Sequence, residues 1–99
     1  MSAFVCLIEI RLHIADSRSL KAKRKHVHSI KDQLRRRFGA AVAEIDGHDT
    51  WQTSTLLCAL VGDGEVSSRA DRLEEFVSAR FLDACTFKRE LRSMADLRG

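Results

Sequence analysis

Residues 3–14 read AFVCLIEIRLHI, and this run limits the possible folds more than any other part of the chain. Phe4, Cys6, Ile8, Ile10, Leu12 and Ile14 fall on one side of a period-two repeat. Val5, Leu7, Glu9, Arg11 and His13 fall on the other. Extended backbone sends successive side chains to opposite faces, so the alternation predicts a half-buried strand. The all-apolar face must meet a second layer to leave water. The mixed face is expected to see solvent or a partner.

The rest of the chain supplies that layer. Asp16-Ser17-Arg18-Ser19 reads as a polar turn, with Ser19 as the N-cap of a helix. From Leu20 to Phe38, the residues Leu20, Val27, Ile30, Leu34 and Phe38 keep helical spacing, and Gly39 follows as a helix stop. Residues 40–45 alternate as a short strand, and Asp46-Gly47-His48-Asp49 is a turn into a second long strand over 50–61. Gly62-Asp63-Gly64 breaks the chain. A second helix is expected over 65–82, with Val66, Ala70, Leu73, Val77 and Phe81 on one stripe and Phe76 beside it. Residues 85–91 read as a final strand and 93–99 as a flexible tail.

The order is therefore βαββαβ. Two split βαβ units predict an α+β, ferredoxin-like fold: a four-stranded antiparallel sheet with two helices on one face. At 99 residues the chain has room for one such domain, placed at residues 1–92. No apolar stretch approaches the roughly 20 residues that span a bilayer, so no membrane role is expected. The start, Met1-Ser2-Ala3-Phe4, lacks a basic segment, and Glu9 and Arg11 interrupt the apolar run that follows, so a secretory signal is not expected either. Cys6, Cys58 and Cys85 each sit in an apolar run without close ligand spacing and read as reduced core thiols, which points to the cytoplasm.

The net charge of +3 conceals an asymmetry. The first helix carries Lys21, Lys23, Arg24, Lys25, Lys31, Arg35, Arg36 and Arg37 against one acid, Asp32, while the remainder of the chain is net acidic. At 100° per residue, Lys21, Arg24, Lys25, His28, Arg35 and Arg36 fan across one flank and the outer face as a continuous ridge. Like charges one turn apart repel, and a polyanion would relieve them. Ser17, Arg18 and Ser19 add exposed donors at the positive end of the helix dipole. These nine residues, Ser17, Arg18, Ser19, Lys21, Arg24, Lys25, His28, Arg35 and Arg36, form the expected phosphate-binding surface. The alternatives are a solubilising helix face and a plain capping turn.

Glu44, Asp46, His48 and Asp49 crowd the second turn. Such a set can hold a divalent cation or perform acid–base work, but an Asp-Gly turn with solvated acids is the more usual meaning. Trp51 is expected to pack over this turn, with an exposed stacking platform as the alternative. The outward face of the first strand carries no aromatic pair, so the base-stacking sheet of an RRM is excluded.

Two segments are similar to a known family. Ser17-Arg18-Ser19-Leu20-Lys21-Ala22-Lys23-Arg24 resembles the S-R-S-L-K-x-K-R run of the YlxP-like proteins, small conserved bacterial proteins of uncharacterised function. Residues 42–52, VAEIDGHDTWQ, resemble that family's V-A-E-V-D-x-x-D-x-W-Q run. The chain departs from the pattern at Ala22, usually Glu, and at Gly47 and Thr50. The resemblance implies a ferredoxin-like fold and a genomic setting beside ribosome-binding factor A and translation initiation factor 2. It implies no catalytic residues.

The expectation is thus a non-enzymatic RNA- or ribosome-associated accessory protein without metal, cofactor or small-molecule substrate. The alternative is a homodimeric interaction module that uses the open sheet face, through Val5, Leu7, Leu57 and Ala59. A third reading, an enzyme built on Glu44, Asp46, His48 and Asp49, ranks below both.

Overall fold

The alternating run forms β1 (Phe4–His13) at the centre of the sheet in a computed structural model that describes residues 2–14, 18–81 and 84–99. It is followed by α1 (Leu20–Phe38), β2 (Ala41–Asp46), β3 (Thr53–Gly62), α2 (Val66–Phe81), β4 (Cys85–Ser93) and α3 (Met94–Arg98). The four strands form one antiparallel sheet in the order β2-β3-β1-β4. Among the described residues the protein is α+β, with an open four-stranded sheet and three helices.

One sheet face is covered by α1 and α2. Cys6, Ile8, Ile10 and Leu12 of β1 pair across to Leu60, Cys58, Leu56 and Ser54 of β3, and all eight are buried. Val27, Ile30 and Leu34 of α1 and Val66, Ala70, Leu73 and Val77 of α2 close over them. Burying one such Ile or Leu side chain contributes about 1.5–3 kcal/mol. Phe38 and Phe76 meet edge-to-face at 5.6 Å where the two helices approach, and Arg37 lies 4.8 Å over the Phe76 ring.

The termini of α1 follow from its sequence. Ser19 is extended, and its hydroxyl accepts from Ala22 N at 3.1 Å. Gly39 adopts φ 65°, and its N–H donates back to Arg35 O at 3.1 Å. Side chains rarely adopt that left-handed conformation, which glycine tolerates.

Several boundaries and placements differ from the sequence expectation. Leu20 is 38% exposed and outside the core, because the stripe 23-27-30-34 takes Lys23 as its first inward residue. β3 begins at Thr53 rather than at 50. Thr50 is turned back instead, its N–H and hydroxyl both donating to Gly47 O. β2 reaches Asp46 through a bulge between Glu44 and Asp46. Cys6 and Cys58 are buried as expected, while Cys85 is half-buried against the core. Residues 94–98, expected as part of a tail, form α3, because Ser93 and Asp96 make a reciprocal capping box.

Candidate nucleic-acid interface and the ion pair beneath it

The nine expected phosphate ligands separate into groups. Ser17 lies outside the described residues. Ser19 is occupied as the N-cap of α1. Arg18, Lys21, Lys25 and His28 are exposed and, among the described residues, make no ion pair or side-chain hydrogen bond. The other three are engaged by the protein itself. Arg24 donates to Glu44 Oε2 at 2.7 Å, Arg35 to Val42 O at 2.8 Å, and Arg36 pairs with Asp32 at 3.0 Å, one turn away.

Lys21, Arg24, Lys25, Val27, His28, Ser29 and Lys31 line an open groove of about 520 Å³ along α1. Arg24 and Arg35 mark the flank of α1 that faces β2, an edge strand. Four of the seven lining residues are lysine or arginine, and Val27 is the one aliphatic residue among them. This geometry suits an extended anionic chain, because long basic side chains lie along apolar surface and keep their charges wet.

Beneath the groove lies an ion pair that the sequence reading missed. Lys23 is fully buried, and its Nζ lies 3.7 Å from Glu44 Oε2. The same ammonium donates to Gly47 O. Glu44 also accepts from Ser54 Oγ at 2.5 Å, and its side chain is 3% exposed. Burial would raise the Glu44 carboxyl, but the hydrogen bonds from Arg24 and Ser54 and the charges of Arg24 and Lys23 outweigh it and hold it down at about 2. Burial pushes the Lys23 ammonium below its ordinary 10.5, and Glu44 opposes that shift. Among the described residues Glu44 Oε1 has no hydrogen-bond partner, and His48 Nε2 stands 3.7 Å from it.

This arrangement takes Glu44 away from the acidic turn. Its carboxylate neutralises two cations of α1, so it is not free to serve as a general base. Among the described residues no group of three or more His, Cys, Asp or Glu is placed to hold a metal ion. Two signals could have found Lys23. It lies one helical turn before Val27, on the inward stripe, and Glu44 lies two residues from buried Val42, on the inward face of β2. Opposite charges on two core-facing positions must meet or remain unpaired.

The lysine also fixes the loop 47–52. Gly47 O receives Lys23 Nζ, Thr50 N and Thr50 Oγ1, and Ile14 N donates to Gln52 O at 2.7 Å. Trp51 projects from this tied loop and is 56% exposed, contrary to the expectation that it packs over the turn. The loop backbone is held by polar contacts that do not involve the indole.

The uncovered face of the sheet carries a smaller apolar patch. Val5 lies opposite Val61 and Leu7 opposite Ala59, with Val61 67% exposed. Toward the other end the face becomes polar, through Glu9, Arg11, Thr55, Thr86 and Lys88.

No helix is long and apolar enough to cross a membrane among the described residues. No curated protein matches the sequence. The de novo designed protein Foldit4 is similar in fold, with a TM-score of 0.56 and 11% sequence identity, over 91% of this chain and 96% of that one. At that identity the likeness concerns the fold alone. A family model described as "Protein of unknown function (DUF503)" matches residues 5–88, from β1 into β4, and takes in both sides of the Lys23–Glu44 pair. The chain belongs to the DUF503 family.

Proposed function

We propose that this chain is a non-enzymatic, cytoplasmic accessory protein that binds RNA, free or in the ribosome, through the phosphate backbone. One observation carries the reading. Arg18, just before α1, and Lys21, Lys25 and His28 along it stand without a protein counter-charge among the described residues, and the last three line an open groove suited to an extended polyanion. Phosphates are the natural counter-charge, since neutralising them releases condensed counterions. Arg24 adds a half-exposed guanidinium to the groove while it stays bound to Glu44. The surface is thus smaller than the nine-residue ridge of the sequence, with Arg35 and Arg36 serving intramolecular contacts first.

The finer placements belong to the same reading. The β2-β3-β1-β4 order, with a helix between β1 and β2 and another between β3 and β4, supports a ferredoxin-like classification. The S-R-S-L-K-x-K-R and V-A-E-I-D runs support a YlxP-like placement within the family, because they supply the two halves of the buried pair.

The test is binding of ribosomal RNA across a salt series by gel shift, with co-sedimentation on ribosomal subunits at two salt concentrations. Binding that falls steeply with salt, and that Lys21→Glu with Lys25→Glu abolishes, is the expected result. Salt-independent binding, or none, removes the reading.

A second reading rests on the exposure of Val61 and Leu7 on the open face. There the chain would pair with a second copy, sheet to sheet. A monomer by light scattering at high protein concentration would count against it.

A further inference from the structure

We infer that Trp51 is a base-stacking platform, and that the RNA held by α1 is therefore unpaired at the loop 47–52. This rests on the phosphate-binding reading above and specifies its substrate as single-stranded nucleic acid.

Three observations point there. The first is exposure on a fixed support. Trp51 is 56% exposed, although its loop is tied at Gly47 O by Lys23 and Thr50 and at Gln52 O by Ile14 N. A large apolar ring held in water on a hydrogen-bonded loop loses burial that a partner's flat surface would restore.

The second is continuity with the basic groove. Lys23, on the first turn of α1, reaches Gly47. His48 stands 3.7 Å from Glu44, which in turn holds Arg24 of the groove wall. The phosphate path along α1 thus leads to the loop that presents the indole.

The third is chemistry. A cationic track that ends at an exposed aromatic ring is the combination that binds single strands, with backbone charge held along the groove and a base stacked at its end. A duplex keeps its base faces inside the helix and offers an indole only those at its two ends. An acidic protein segment would satisfy the cations but gives the ring a flat partner only where it also carries an aromatic or arginine side chain.

The experiment uses the full chain. Trp51 is its one tryptophan, so its fluorescence reports the ring directly. The probes are a single-stranded oligouridylate of about ten nucleotides and an RNA duplex of the same length, with affinities measured by anisotropy of labelled strands. Saturable quenching by the single strand is expected, at the concentrations where anisotropy reports binding, with little quenching by the duplex. Trp51→Ala should weaken single-strand binding by about ten-fold and duplex binding by less than two-fold, and Trp51→Phe should restore most of the loss. RNA binding without quenching, together with unchanged affinity in Trp51→Ala, would overturn the stacking role and leave the phosphate reading in place. No salt-dependent binding of either RNA would overturn both.

Discussion

Lys23 and Glu44 face each other across 3.7 Å inside the protein, one from the inward stripe of α1 and one from the inward face of β2, and neither reaches bulk water. The pair joins two segments 21 residues apart and fixes the height of the loop 47–52 through Gly47 O. Removing one partner of a buried pair leaves the other charge uncompensated, which costs about 3–5 kcal/mol. Glu44→Ala should therefore be severely destabilising, because it strands both Lys23 and the hydrogen bond from Ser54. Lys23→Met should cost less, about 1–3 kcal/mol, since Arg24 and Ser54 still satisfy Glu44 and the loss falls mainly on Gly47 O. The double variant Lys23→Met with Glu44→Ala should be more stable than the sum of the two losses predicts. Urea unfolding of the four proteins checks this, and strict additivity would show that the two groups do not interact.

Acid should weaken the fold through Glu44. Its carboxyl titrates at about 2 in the folded protein against an ordinary 4.5. A depressed folded value means that the unfolded chain takes up the proton first. The stabilisation is complete above the unfolded value and is lost as pH falls from about 4.5 toward about 2, with a total on the order of 3 kcal/mol. Stability should fall more steeply across that window in the wild type than in Glu44→Gln. Asp96 is also held down, by backbone and side-chain hydrogen bonds with Ser93, but it titrates in both proteins and cancels from the difference. Equal slopes in the two proteins would assign the acid sensitivity elsewhere.

The strand and helix pattern was legible because it rests on periodicity alone. The inward sets of β1 and α2 follow from counting by two and by three or four, and both are buried as counted except at Phe4 and Phe81, which are half-buried at the ends of their elements. Lys23 was not legible in that way. A lysine among eight basic residues reads as surface, and only its partner on β2, distant in sequence, makes the interior position tolerable. The same limit applies to Arg35, whose use on Val42 O depends on which strand becomes an edge. Trp51 shows a different limit. Aromatic rings are usually covered, but Thr50 turns the loop back on Gly47 and leaves the indole outside, a matter of turn hydrogen bonds rather than of hydrophobic pattern.

Gly47 should resist substitution. Its φ is 84°, and a Cβ there would come within 2.7 Å of Thr53 O, a backbone atom that cannot swing aside. Gly47→Ala combines left-handed strain with this clash, and a loss of about 2 kcal/mol or more is expected. Gly64 is the control, with nothing within 4 Å of its Cβ position among the described residues and no positive φ, so Gly64→Ala should change stability by about 0.5 kcal/mol or less. Comparing the two thermal midpoints is sufficient, since 1 kcal/mol moves a domain of this size by about 4–8 °C. Equal midpoints would mean that the loop rearranges without cost.

Charge reversals along α1 should separate folding from binding. Lys21 and Lys25 touch no carboxylate among the described residues, so Lys21→Glu and Lys25→Glu should leave the unfolding midpoint close to the wild type while reducing RNA affinity and its salt slope. Arg24→Glu differs. It would set a new carboxylate beside Glu44, which is already 97% removed from water, and take away the 2.7 Å hydrogen bond that keeps that group ionised. Its loss of RNA binding would then come with a lowered midpoint, and the two effects could not be separated. Asp32→Ala gives the opposite test. It releases Arg36 from its one-turn ion pair and should raise RNA affinity slightly, by two- to five-fold, with a stability change of about 0.5 kcal/mol or less. Reduced affinity in Asp32→Ala would mean that Arg36 and its neighbours do not face the nucleic acid.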